Sequence, residues 1–125
     1  MIFDTDVLMW TFRGNLRAAA TINGEPDRAI TIVTFMELMQ GARSKLEARQ
    51  IRESLRRLDF RIVPLTESIG ATAAALIQEH SLAHGIQVVD ALIAATAIES
   101  GQPLCSANAK HFRPVQSLSC VVFRP

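Results

Sequence analysis

Several features are scarce or missing in this chain of 125 residues. There is no surplus of charge: 13 lysines and arginines against 12 aspartates and glutamates leave a net +1. Bulk charge therefore announces no polyanionic partner, and nucleic-acid contact has to come from a local patch. There are only two cysteines, too few for a disulfide framework. Cys105 and Cys120 each sit in apolar surroundings and are read as buried free thiols of a cytoplasmic protein. No apolar run approaches the roughly 20 residues of a membrane span. The most apolar stretch, 86–98, is shorter and contains Asp90. No signal peptide fits the start, because Asp4 and Asp6 interrupt any apolar region there. There is also no repeat, linker or low-complexity segment. What remains, 49% hydrophobic and 20% charged, is a globular composition. The length is that of one domain, expected to span 1–125.

Short apolar runs alternate with helical patterns. Ile2-Phe3 reads as a strand, and a helix or turn begins near Leu8. Leu16 to Ile22 reads as a short helix stopped by Asn23-Gly24, and Pro26-Asp27 as a turn. Ala29 to Val33 is rich in β-branched residues and predicts a second strand, with Thr34 capping a helix to about Gln40. Ser44 to Leu58 is the clearest amphipathic helix, with Ala48, Ile51, Leu55 and Leu58 on one face. Arg61 to Leu65 predicts a third strand. Thr66 caps a helix striped by Ile69, Ala73, Leu76 and Ile77, and Gly85 closes it. Val88 to Ser100 is apolar nearly all round and predicts a buried helix. Pro103 to Ser106 and Cys120 to Phe123 predict the last strands, with Asn108 to Phe112 a single turn between them. This alternation argues an α/β fold with a mostly parallel sheet covered on both faces. In such sheets ligands bind beyond the carboxyl ends of the strands.

Acidic residues fall at or near those ends. Asp4 follows the first strand directly, with Asp6 two residues on; Glu37 interrupts the apolar helix after the second strand; Asp90 opens the buried helix. Helix capping is the plain alternative for Asp6 and Asp90, and a solvated position for Glu37. Buried carboxylates are costly unless paired or metal-bound. Several in one small domain point to a shared solution, a cluster around a hard cation such as Mg2+ or Mn2+. Such a cation can orient a phosphodiester and lower the pKa of bound water.

Four segments carry a resemblance. They are Met1-Ile-Phe-Asp-Thr-Asp-Val-Leu, Thr31-Ile-Val-Thr-Phe-Met-Glu-Leu-Met-Gln-Gly-Ala, Val89-Asp-Ala-Leu-Ile-Ala-Ala-Thr-Ala and Leu104-Cys-Ser-Ala-Asn-Ala-Lys-His-Phe. In this order, across nearly the whole chain, they resemble PIN-domain ribonuclease toxins of the VapC type. The resemblance implies a PIN-like three-layer fold and a Mg2+- or Mn2+-dependent endoribonuclease leaving 5′-phosphate and 3′-hydroxyl ends. It also implies a cytoplasmic location, a cognate antitoxin and a homodimer. By similarity Asp4, Glu37 and Asp90 are the core acidic residues holding metal, and Thr5, Asp6 and Ser106 are supporting polar groups. Many members carry a further aspartate where this chain has Asn108, which contributes no charge toward a second metal.

Other readings compete. Phe3-Asp4-Thr5-Asp6-Val7 also resembles the opening motif of haloacid dehalogenase-type phosphatases, with Asp4 as nucleophile, but that leaves Glu37 unused. A non-catalytic antitoxin- or RNA-binding module would keep the fold without the chemistry. Lys45, Arg49, Arg52 and Arg56 share about 60° of helical arc. They form either a solvated face, with Glu53 pairing Arg49 and Arg57, or an RNA-contacting stripe. His80 and His84 have the spacing of zinc ligands, but no third ligand is apparent, so a partly exposed helix end is the simpler reading.

Overall fold

The computed structural model describes residues Met1–Pro125. Five short strands form one parallel sheet: β1 (Ile2–Phe3), β2 (Ala29–Thr31), β3 (Arg61–Val63), β4 (Leu104–Ser106) and β5 (Cys120–Val122). Seven helices connect them: α1 (Thr5–Phe12), α2 (Leu16–Asn23), α3 (Ile32–Gly41), α4 (Lys45–Arg57), α5 (Glu67–His84), α6 (Val88–Glu99) and α7 (Ala109–Phe112). The strand order is β3-β2-β1-β4-β5. The chain starts in the middle of the sheet and builds outward to β3. It then returns through α5 and α6 to the far side of β1. The strand order therefore reverses between β1 and β4, the place where open parallel sheets leave a crevice at their carboxyl ends.

Pleating explains the three layers, because successive side chains along a strand point to opposite faces. Ile2, Ala29 and Leu104 join one buried cluster with Ile69, Ala73, Leu76 and the interior of α6. Phe3, Ile30 and Cys105 join the other with Val7, Leu8, Ala18, Ile22 and Leu55. Helices α5 and α6 thus cover one face, and α1, α2 and α4 the other. Val33 contributes to the first cluster and Leu38 to the second, so α3 reaches both. The apolar stripe expected on α5 is buried at Ile69, Ala73 and Leu76, and Gly85 ends the helix at φ +68°, a conformation that glycine adopts without strain.

Several boundaries differ from the sequence reading. The second strand stops at Thr31 rather than Val33, and Thr31, not Thr34, caps the next helix, its Oγ1 accepting from Thr34 N at 3.0 Å. Helix α1 begins at Thr5 rather than near Leu8, and its cap is Asp4 rather than Asp6. The third strand ends at Val63, before Pro64, which has no N–H to donate. On α4 only Leu55 is buried; Ala48, Ile51 and Leu58 are half-buried, because the helix rides at the margin of its cluster. Glu53 forms no ion pair; the acid that pairs near it is Glu47, with Arg43 at 3.4 Å. Cys105 is buried, whereas Cys120 is half-buried. Leu104 is the register partner of Cys120, so the two thiols face opposite sides of the sheet and cannot meet.

Candidate functional site

The crevice between β1 and β4 is where Asp4 sits. Backbone Asp4 N donates to Cys105 O at 2.9 Å, drawing the two strand ends together. The carboxylate is 7% exposed and both oxygens are engaged. Oδ1 accepts from Thr5 N at 2.8 Å, capping α1, and Oδ2 accepts from Ser106 Oγ at 2.8 Å. Asp6, in the first turn of α1, accepts from Ala107 N through Oδ2 at 3.1 Å. Its Oδ1 is buried with no partner. Two carboxylates at the start of α1 therefore grip the segment that leaves β4.

A line of hydroxyls links this pair to Glu37. Thr5 Oγ1 lies 2.6 Å from Glu37 Oε1 and 3.0 Å from Thr34 Oγ1, which lies 3.3 Å from Thr31 Oγ1. A carboxylate can only accept, so the single Thr5 proton goes to Glu37 and Thr34 becomes the donor to Thr5. Thr31 and Thr34 are fully buried, and sequence reading missed both as members of the site. Their signal was the i, i+3 threonine spacing at the strand-to-helix junction.

Asp90 occupies the first turn of α6 and is half-buried, its Oδ2 3.8 Å from His111 Nδ1 on α7. Ser106 also accepts from Asn108 N at 2.9 Å, so its hydroxyl bridges Asn108 and Asp4. Asn108 stands at the N-cap position of α7, but its side chain makes no capping bond and is left uncommitted and exposed.

The surroundings disfavour charge on both the Asp4 and the Asp6 carboxylates. Burial, followed by the neighbouring charge of Asp6, pushes the Asp4 carboxyl from 3.8 up to about 7; the bonds from Ser106 and Thr5 pull it down, and Asp90 adds a small upward push. Burial also raises Asp6, against the opposing bond from Ala107. The donors are all oxygens, which suits a hard divalent cation. Such a cation would relieve both the crowded charge and the unpartnered Asp6 Oδ1. As they stand, no three acidic, histidine or cysteine side chains converge into a ligand set. Asp4 is held by hydrogen bonds, and Glu37 turns toward Thr5.

A groove of about 760 Å³ opens from Thr5 and Glu37 between α1, α3 and α4, and is lined further by Met9, Arg13, Glu47 and Ile51. On α4 it meets Glu47, Gln50, Ile51 and Ser54. Lys45, Arg49, Arg52 and Arg56 are exposed, roughly 180° around the same helix from that face at about 100° per residue. The structure does not bring the basic stripe to this groove. His80 and His84 lie with ring centroids 5.8 Å apart at the end of α5. His80 is buried and His84 exposed, so this helix end is partly exposed, as the simpler reading has it.

A PIN domain family model matches residues 1–116. No curated protein matches the chain. Among solved structures, a chain of a toxin-antitoxin complex from Klebsiella pneumoniae is 30% identical with a TM-score of 0.81, over 97% of this chain and 95% of that one. A chain of FitAcB from Neisseria gonorrhoeae is 25% identical with a TM-score of 0.77, over 95% and 94%. One from VapBC-1 of nontypeable Haemophilus influenzae, 21% identical over 98% of both chains with a TM-score of 0.78, shares the fold.

Proposed function

The chain belongs to the PIN domain family, and from that premise we propose that it is the toxin of a toxin–antitoxin pair, an endoribonuclease dependent on Mg2+ or Mn2+. One observation carries the reading: the buried Asp4 at the point where the strand order reverses, bonded to Ser106 across the crevice and crowded by Asp6 and Asp90. A structural role alone would favour a neutral side chain there, because burying a carboxylate beside others is costly.

In this reading Asp4, Glu37 and Asp90 hold the cation, with Asn108 contributing through water. The cation, when bound, withdraws charge from the scissile phosphodiester and lowers the pKa of water, giving 5′-phosphate and 3′-hydroxyl ends. The chain's own groups supply position. Ser106 donates to Asp4 Oδ2 and fixes that carboxylate's plane. Thr5, backed by Thr34, donates to Glu37 Oε1 and orients the second acid. Asp6 keeps Ala107 against α1. Asp90 stands at the positive end of α6, which stabilises its charge.

The antitoxin belongs to this proposal because the 30%-identical relative is a chain of a toxin-antitoxin complex. A second copy of the chain and a cytoplasmic setting belong to it as well; no helix is long and apolar enough to cross a membrane. The residues 1–125 would act as a single PIN domain. The test is cleavage of total RNA with Mg2+ or Mn2+, with sequencing of new 5′-phosphate ends. Cleavage that stops in EDTA and in Asp4→Asn is expected. Undiminished cleavage in EDTA would sink the metal mechanism, and intact RNA with either ion would sink the nuclease.

A further inference from the structure

A second groove, of about 510 Å³, runs between the C-terminal half of α5 and the segment that follows α7. One wall carries His80 and His84, the other Arg113, Gln116 and Ser117. His80 is 9% exposed. Its nearest carboxylate oxygen, Glu79 Oε2, is 3.7 Å from Nε2, too far for a hydrogen bond. Arg113 is exposed and takes part in none of the ion pairs of the molecule. The groove thus collects one permanent positive charge, two imidazoles, an amide and a hydroxyl. Against them stands one acid, Glu79, whose side chain is 71% exposed at the rim.

His80 makes no side-chain hydrogen bond, and its ring nitrogens are not sealed in the core, so they are available to a ligand in the groove. A groove rich in donors and poor in acceptors suits an anion with several oxygens, and a guanidinium fork matches phosphate oxygens in particular. Position narrows the choice. Arg113 is two residues beyond His111, so their Cα atoms are at most about 7 Å apart, and His111 Nδ1 lies 3.8 Å from Asp90 Oδ2. On the opposite wall, His84 ends α5 and Asp90 opens α6 just past the Gly85 turn. On each side the chain thus runs within a few residues of Asp90 or of the histidine beside it.

We propose that this groove binds a backbone phosphate of the RNA next to the scissile one, with Arg113 pairing its charge and His80 and His84 donating to its oxygens. The proposal rests on the nuclease reading. It assigns the strand's path to the α7 side of the site and gives no part to the stripe on α4.

The test is fluorescence anisotropy of a labelled, mixed-sequence single-stranded RNA in EDTA, where binding is read without cleavage. Arg113→Ala combined with His84→Ala removes two exposed side chains and leaves the core intact. Binding should weaken roughly tenfold, as for the loss of a charge-assisted bond. The slope of log affinity against log salt should fall by about 0.7 for each phosphate that is no longer neutralised. Arg113→Lys should recover most of the slope, because it keeps the charge. In parallel, the imidazole NMR signals of His80 and His84 are followed with inorganic phosphate and with the RNA; both should move. Equal affinity and slope in parent and double variant would overturn the proposal. Histidine shifts with phosphate but unchanged RNA binding would assign the groove to a free phosphate instead and likewise overturn it. A parent that binds no RNA in EDTA overturns this proposal, and the nuclease reading falls with it only if RNA also stays intact with Mg2+ and Mn2+; a variant equal to a binding parent removes this proposal alone.

Discussion

Asp4 carries two burdens at once: it ties β1 to β4 and it is the acid most displaced from its ordinary titration. Losing it should therefore act oppositely on activity and on stability. Asp4→Asn, Glu37→Gln and Asp90→Asn should each cut RNA cleavage by at least about a hundredfold. Pairing any two should cost little more, because residues acting as one unit are not additive. Single-turnover cleavage with Mn2+ measures this, and a single variant as active as the parent would remove that residue from the site.

Stability should move with pH in the metal-free protein. The Asp4 carboxyl rises from 3.8 to about 7 on folding, so the folded chain keeps a proton that the unfolded chain gives up. That contribution is fully present below about pH 4 and is lost as pH climbs through about 7, and the rise at Asp6 acts in the same direction. Its upper bound is on the order of 4 kcal/mol, at about 1.4 kcal/mol per pKa unit. In EDTA, Asp4→Asn should melt several degrees higher than the parent near pH 7.5 and show a flatter profile from pH 4 to 8 by calorimetry. A parent that grows steadily more stable over that range would contradict the assignment. Asn108 gives the complementary case. Its uncommitted side chain makes Asn108→Asp a test of reach: added charge near a cation should tighten Mn2+ binding severalfold in a calorimetric titration. An unchanged affinity would place Asn108 outside the site.

Among the elements, helices are more legible than strands. Ser44, Thr66 and Gly85 announce two helices, and these residues cap them. The sequence misdivides the second strand and the helix after it at Ile32-Val33, because β-branched residues favour strands only weakly. Here the Thr31 cap and the burial of Val33 outweigh that preference. The same misdivision hides the threonine line to Glu37, since Thr34 read as a cap has no reason to face a site. Asp4, Glu37 and Asp90 stand out because each interrupts or borders an apolar run. Charge spacing on α4 is visible in the sequence, but its direction depends on how the helix docks. With the stripe turned away from the groove, Arg49→Ala, Arg52→Ala and Arg56→Ala together should leave RNA affinity and its salt slope within about twofold, as for surface charges outside an interface. Anisotropy titrations over a range of salt decide it, and a clear drop in slope would restore the stripe as a contact.

For the molecule as a whole, alternation of strands and helices foretells the parallel sheet, but not that it starts in the middle. Strand order is settled by contacts between distant segments, which periodicity does not record. Apolar side chains remain outside: Leu82 is fully exposed and Val88 is 63% exposed, on either side of the α5–α6 turn. A homodimer using this end should be weakened by Leu82→Asp with Val88→Asp, moving light-scattering mass from two chains toward one; an unchanged mass would place the contact elsewhere. The hydrogen bond between Asp4 and Ser106 joins residues 102 positions apart. A chain emerging from the ribosome at roughly 5–20 residues per second makes Asp4 long before Ser106. It cannot close the crevice until β4 has been made and slides in beside β1. On the nuclease reading proposed above, no cleavage is possible before that closure, so the order of synthesis itself delays the activity.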